Sequence, residues 1–334
     1  MREDSRALLA SIDAARARRS GHYESHFLRA NHPSRPLAFW IRHTAFVARA
    51  GARDALGELW AVYFDGEGGR HVALRSAFPL GECSFDAASL RVSIGEARLD
   101  ERASRGALRN GRHSIAWDLS IEGEGAPLML LPRRLYGTRF PAAKSFVGLP
   151  LARFRGSLTV DGAQVGIDDW LGSRNHNWGT RHTDRYAWGQ VAGFDNSPGS
   201  FLELATAQLR IGPLWSPAFT LIVLRHRGVE YRLNGLAQSL RARGEFHDSF
   251  WRFSSKTPRV AIEGEINAPR EAFVELEYLD PPGGTKRCLN TKIASCRVRL
   301  RDRERGVDEV LETRHRAAFE ILTDDRNHGV MIAA

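Results

Sequence analysis

Beyond its first twenty residues the chain never sustains a helical period; its side chains alternate in twos instead. Ile115, Trp117 and Leu119 alternate with Ser114, Ala116 and Asp118, and Leu90, Val92 and Ile94 with Arg91, Ser93 and Gly95. Val229, Tyr231 and Leu233 do the same against Glu230, Arg232 and Asn234. This is the period of a strand with one face in a core and one in water. Leu59 to Phe64 differs in being apolar on both faces, Trp60, Val62 and Phe64 opposing Leu59, Ala61 and Tyr63. Turn residues separate the runs, as at Asp65-Gly66, Asn110-Gly111 and the two-residue hairpin signal Asp161-Gly162. About fifteen short strands without intervening helices make an all-β protein. That is too many for one small closed barrel. Two antiparallel barrels or sandwiches in tandem are expected, with a boundary in Pro141 to Gly156, drawn here as domains 1–148 and 149–334. No low-complexity linker separates the halves, so they are expected to pack together.

The exception is the N-terminus, where Asp4 or Ser5 caps a short predicted helix running to Arg19, with Leu8, Leu9, Ile12 and Ala15 as its apolar stripe. A terminal helix packed across a sheet is the simpler reading; weak peripheral membrane contact through its basic end is the lesser one. The net charge of +9 suggests nucleic acid, but the arginines are dispersed among acids rather than clustered, so no nucleic-acid partner is expected. Cys83, Cys288 and Cys296 make neither a disulfide framework nor a thiolate metal site. A reduced, cytoplasmic setting is expected. No apolar run reaches the roughly 20 residues that span a bilayer, and the N-terminus lacks a secretory signal. Nothing in the sequence indicates an oligomeric state.

The chemistry is expected in Asp168 to Phe194, DDWLGSRNHNWGTRHTDRYAWGQVAGF. Tyr186, Trp188 and Gln190 share one side of a strand whose other side is small: Ala187, Gly189 and Val191. A bulky face of this kind lines something. The polar stretch before it reads as a turn delivering Asn175, His176, Trp178, Arg181 and Asp184 to an apolar cavity. His176, Asp168 and Asp184 are the candidate catalytic groups, because imidazole and carboxyl groups carry protons near neutrality. Trp178, Arg181, Tyr186, Trp188, Gln190 and Asn175 are the candidate ligand contacts, the aromatic faces being able to stabilise a carbocation. The competing reading is a buried polar network that ties the segment to a barrel wall. His176 and His182 with Asp184 lack the register of a metal site, and no nucleotide-binding or nucleophile-elbow motif occurs, so neither metal nor cofactor is expected. Trp251-Arg252-Phe253 reads as two core aromatics flanking an outward arginine.

GSRNHNWGTR followed by YAWGQVAGF resembles the (D/N)HxWG-type motif of a lipocalin-like superfamily that includes carotenoid 1,2-hydratases (hydroxyneurosporene synthases) and tocopherol cyclases. YESHFLRANHPSRPLAFWIRHT and the Asn-Thr-Lys of YLDPPGGTKRCLNTKIASCRV agree with it. The resemblance implies two tandem lipocalin-like β-barrels. It also implies cofactor-free hydration, cyclisation or isomerisation of a hydrophobic, isoprenoid-type small molecule, driven by protonation. Hydratase-like members carry Asp directly before the motif histidine; here that residue is Asn175, whose amide has no proton to give at neutral pH. Asp168, Asp169 or Asp184 would then take over, or the protein is a non-catalytic carrier of a lipid or other hydrophobic ligand.

Overall fold

The computed structural model describes residues 20–49, 54–86, 89–323 and 329–330; the helix expected up to Arg19 lies outside them. The described chain is almost entirely antiparallel strand. The first sheet holds β1 (His22–Asn31), β2 (Leu37–Val47), β3 (Leu56–Asp65), β4 (Val72–Pro79), β5 (Cys83–Phe85) and β6 (Arg91–Ile94). It continues with β7 (Ala97–Asp100), β8 (Ala103–Asn110), β9 (His113–Glu122), β10 (Leu128–Met129), β11 (Ala143–Val160) and β12 (Ala163–Gly179). Its order is β4-β3-β2-β1-β12-β11-β9-β8-β7-β6-β5, with β10 paired to the side of β11, and it curls until β4 lies against β8 and β9 as a nearly closed barrel.

The second sheet takes β13 (Arg185–Phe194), β14 (Ser197–Gln208), β17 (Phe219–His226), β18 (Val229–Leu233), β19 (Arg243–His247) and β20 (Phe250–Lys256). Its remaining strands are β21 (Val260–Asn267), β22 (Val274–Leu279), β23 (Thr285–Asp302) and β24 (Val307–Thr323). Between its strands sit a small hairpin, β15 (Arg210–Ile211) with β16 (Leu214–Trp215), and one helical turn, α1 (Leu236–Arg241). Its order is β18-β17-β14-β13-β24-β23-β21-β20-β19, with β22 paired to β23. The all-β tandem architecture therefore stands. Sheet membership changes between Gly179 and Arg185, so residues 149–179, placed with the C-terminal half above, hydrogen-bond within the first sheet.

Local chemistry accounts for the long hairpins. Asp161 and Gly162 both take positive φ (49° and 84°), the twist a two-residue turn needs to return β12 along β11. Register shifts at Val147/Leu149, Pro150/Ala152 and Phe154/Gly156 let β11 bend with the barrel wall. Trp251 and Phe253 are buried in the second core, and Arg252 points outward near Glu265.

The decisive packing lies on β1, β2 and β3, where both faces are buried. Phe39, Ile41, Leu59 and Ala61 fill the first barrel with Trp117, Phe154 and Trp170. The opposite faces give Phe27, Trp40, Trp60, Val62 and Phe64 to the second core, beside Trp251 and Phe319. Polar ties reinforce the seam. Asn31 Nδ2 donates to the Lys292 carbonyl (2.7 Å) and Arg29 Nη1 to the Gln190 carbonyl (3.2 Å). Lys292 lies in the shifted stretch Thr291–Ala294 of β23, where carbonyls lose ladder partners and need others. Among the described residues no helix is long and apolar enough to cross a membrane.

A shared core predicts one cooperative unfolding transition seen by both fluorescence and circular dichroism. Trp60→Ala removes a fully buried ring from the seam and should lower the stability by about 3–5 kcal/mol without splitting the transition. Two separated transitions in the wild type would show that the halves fold independently.

Candidate active site

The outer faces of β1 and β2 and the inner face of the second sheet do not meet everywhere. Between them lies a cavity of about 150 Å³, walled by Tyr23, Phe27, Trp40, Arg42, Phe146, Asn175 and His176 from the first sheet. Tyr186, Trp188, Glu203, Phe219, Leu221, Tyr278 and Glu320 close it from the second. Phe27 meets Trp188 edge-on at 6.2 Å across the seam. A space of this size takes a single ring or a short branched chain.

Behind the first-sheet wall, on the face of β1 and β12 that Leu28 and Trp170 turn to the first barrel, His176 Nε2 lies 2.9 Å from Glu24 Oε1. Burial by itself raises the Glu24 carboxyl, but the neighbouring His176 and His22 overcome it and hold the group at about 2. A carboxylate only accepts, so Nε2 carries the hydrogen, and in the neutral ring Nδ1 keeps a lone pair. Nδ1 is buried and has no protein partner. Trp178 stacks on the ring at 4.6 Å and His26 on its other side at 4.3 Å, while Phe146 meets it edge-on at 5.3 Å. The result is an imidazole held in place by a carboxylate and by three flanking rings.

Glu24, His26 and His176 also bring one ligand atom each within 4.8 Å of one another, the grouping among the described residues that a metal ion could use. The two imidazoles are nearly parallel, however, with an interplanar angle of 5°. A ligating nitrogen directs its lone pair in the ring plane, so one ion cannot lie in both planes of a stacked pair unless a ring turns.

On the facing wall stands Glu203, which the sequence reading missed. It is buried on β14 in the apolar run Phe201-Leu202-Glu203-Leu204. Burial raises its carboxyl, hydrogen bonds from Gln190 and Trp188 pull it partly back, and it settles at about 7. Trp188 Nε1 donates to Oε1 (3.2 Å) and Gln190 Nε2 to Oε2 (2.8 Å). Gln190 is fixed in turn by Asn175 Oδ1 (2.8 Å) and Ser173 Oγ (2.6 Å). The signal that could have found Glu203 is a lone acid inside an apolar strand, which is costly unless it has a task or a partner.

The structure unites some of the sequence candidates and separates others. Asn175, Tyr186 and Trp188 turn their side chains to the cavity and Gln190 sits directly behind it, while His176, stacked with Trp178, borders it with its ring on the opposite face of β12. His176 and Asn175 lie on strand β12 rather than in a turn. Asp168 is on the same strand but exposed, eight residues away, or about 26 Å at the rise of an extended chain. It has no access to the cavity. Asp169 pairs with Arg153 and Arg155 on the barrel surface. Asp184 is buried, but its oxygens hold Arg181 and the Arg210 backbone N–H (2.9 Å), pinning the crossing 180–184 to the end of β14. Arg181 is exposed. It is Glu203, with Glu320, that lies on the cavity wall, in the place expected of Asp168 and Asp184. The Asn175 amide works in the polar network: its Nδ2 donates to Ser173 Oγ (2.9 Å).

Residues 147–321, just over half the chain, match the sequence profile described as tocopherol cyclase-like. The chain belongs to the tocopherol cyclase-like family. That segment carries both His176 and Glu203, and the resemblance seen in the central motif stands. An uncharacterised protein of Mycobacterium tuberculosis is 26% identical over 298 residues, covering 86% of this chain and 84% of its own. Among solved structures, kievitone hydratase from Nectria haematococca superposes with a TM-score of 0.56 at 10% identity, over 96% of this chain and 95% of its own. A putative AttH from Nitrosomonas europaea does so with 0.56 at 11% identity, over 91% of each chain. CghA in complex with Sch210972 gives 0.55 at 13%, over 91% and 88%. At these identities the structures share the fold.

Two opposed pH dependences follow. Burial holds His26 well below its usual range and His43 and His182 at about 3. The unfolded chain protonates these rings below about 6.5, so the stability present at neutral pH should be lost as the pH falls from there toward 3. Glu203 acts the other way: its contribution is full below about 4.5 and is lost as the pH rises through about 7. Glu203→Gln should therefore stabilise the protein at pH 8 by up to about 3 kcal/mol. The gain should shrink toward zero near pH 4.5, as read from denaturant midpoints of variant against wild type.

Proposed function

We propose that the protein binds a hydrophobic, isoprenoid-type small molecule in the cavity between its sheets and converts it without a cofactor, by protonation leading to hydration, cyclisation or isomerisation. The observation that carries this reading is Glu203, a carboxyl that still holds its proton near neutral pH on the wall of an aromatic cavity. A group titrating near the working pH can both give and regain a proton, as an acid catalyst must.

In this reaction the Glu203 proton goes to one carbon of a ligand double bond, whose electron pair forms the new C–H bond and leaves a cation on the other carbon. The faces of Trp188, Trp40 and Phe27 lie around that position, and ring quadrupoles stabilise a cation. The Trp188 and Gln190 N–H groups already aimed at Glu203 hold the carboxylate that remains. A water molecule, or a hydroxyl of the ligand itself, then forms a C–O bond to the cation and gives its proton to the Glu203 carboxylate. Loss of an adjacent C–H proton to the same carboxylate would give isomerisation instead. Glu203 thereby regains the proton it gave, so nothing else is consumed.

The second reading is a non-catalytic carrier of a hydrophobic ligand, favoured by Asn175, which stands where hydratase-like relatives have an acid and is absorbed in hydrogen bonds.

The two readings separate when the protein is incubated with an isoprenoid extract and bound species are followed by native mass spectrometry and chromatography. Glu203→Gln should keep the bound species but slow its conversion by roughly 10²-fold or more. Trp188→Ala should weaken retention instead, because a stacking surface is lost. Unchanged turnover in Glu203→Gln sinks the acid assignment, and a wild type that holds its ligand indefinitely unchanged establishes the carrier.

A further inference from the structure

Arg42 is buried on the cavity wall, on β2, with no acid beside it among the described residues. Its Nη2 donates to Ser25 Oγ (2.8 Å), its guanidinium carbon lies 4.6 Å from the Tyr278 ring centroid, and its Nε finds no acceptor. A charge this deep is expensive unless another charge or several dipoles compensate it. The other buried cations of the seam are compensated. Lys292 reaches Glu320 at 2.7 Å, Arg29, whose Nε also lacks an acceptor, lies in the field of Glu203 and Glu320 and donates to the Gln190 and Arg316 carbonyls, and Lys144 donates to the Thr138 and Pro141 carbonyls.

The acids that line the cavity are already engaged elsewhere. Glu203 accepts from Trp188 and Gln190, and Glu320 from Lys292 and Asn290. Around Arg42 lie the rings of Trp40 and Tyr278 and the hydroxyl of Ser25, with Tyr23 and His182 also within reach of its charge, and none of these carries negative charge at neutral pH. A built cavity thus presents a desolvated guanidinium with an unused N–H at one end and apolar aromatic walls elsewhere.

We infer that the ligand supplies the missing charge: it is an amphiphile whose apolar body lies among Phe27, Trp40 and Trp188 and whose carboxylate pairs with Arg42. This rests on the cavity being the ligand site, and it adds the ligand's chemical class. Guanidinium favours a carboxylate over a neutral hydroxyl because the ion pair adds charge to the hydrogen bond, and water is excluded where the pair forms.

Cinnamate and cinnamyl alcohol make a matched pair of single-ring probes that differ in the charged group. Isothermal titration at pH 7 should find cinnamate at least about tenfold tighter on the wild type, the range of a charge-assisted hydrogen bond. Arg42→Gln should bring the two within about twofold of each other, chiefly through a loss of cinnamate affinity. Arg42→Lys should retain part of the preference. If Arg42→Gln does not fold, the wild-type preference and its reduction in Arg42→Lys still decide. Equal wild-type affinities, or a preference that survives in Arg42→Gln, overturn the inference while leaving the cavity as an apolar site. Failure of both probes to bind overturns this inference and the cavity reading together.

Discussion

Everything else in the structure depends on three strands that bury both of their faces. Most antiparallel sheets offer water one side, but β1, β2 and β3 have none to offer, because their outer side is the floor of the second core. Trp40 and Trp60 are as buried as any residue inside either barrel, yet they belong to neither interior. Removing the second sheet would expose a contiguous apolar surface of the kind monomeric proteins avoid. The seam therefore makes the two halves one folding unit.

The candidate site follows from the same constraint. Two curved surfaces pressed together along β1–β3 cannot match everywhere, and the mismatch left beside Phe27, Trp40 and Trp188 is the cavity. Aromatic rings line it, and the acids around it are displaced from ordinary behaviour or held by a partner. Glu203 keeps a proton near neutrality, Glu24 is locked as an anion behind His176, and Lys292 is neutralised by Glu320. Burial alone would push both acids upward. The difference between them is that Glu24 stands among histidines while Glu203 has two neutral N–H donors.

The buried-network alternative proved partly right in kind. Asn175, Gln190, Ser173 and Glu203 do form a hydrogen-bonded lattice across the seam, and Asp184 is purely a structural anchor. His176 keeps one ring nitrogen without a partner, as His43, on the same face of the first sheet, keeps both.

By itself the sequence determined the all-β class, the Asp161-Gly162 hairpin, the outward Arg252 between two core aromatics, and the bulky face of Tyr186, Trp188 and Gln190. These are consequences of the two-residue period and of turn chemistry, which act over a few neighbours. The doubly apolar stretch Leu59–Phe64 even announced the seam, although not its partner. What only the tertiary structure decided was the company each polar side chain keeps. Asp168 was attractive because it is near His176 in sequence, but an extended strand carries eight residues far along the barrel wall. Glu24 and His176, 152 positions apart, meet because β1 pairs with β12. Glu203 and Arg42 carry no motif; each is a single charge in an apolar strand, and its meaning depends on which wall faces it. Strand pairing and sheet packing join distant residues, and no local pattern encodes that distance.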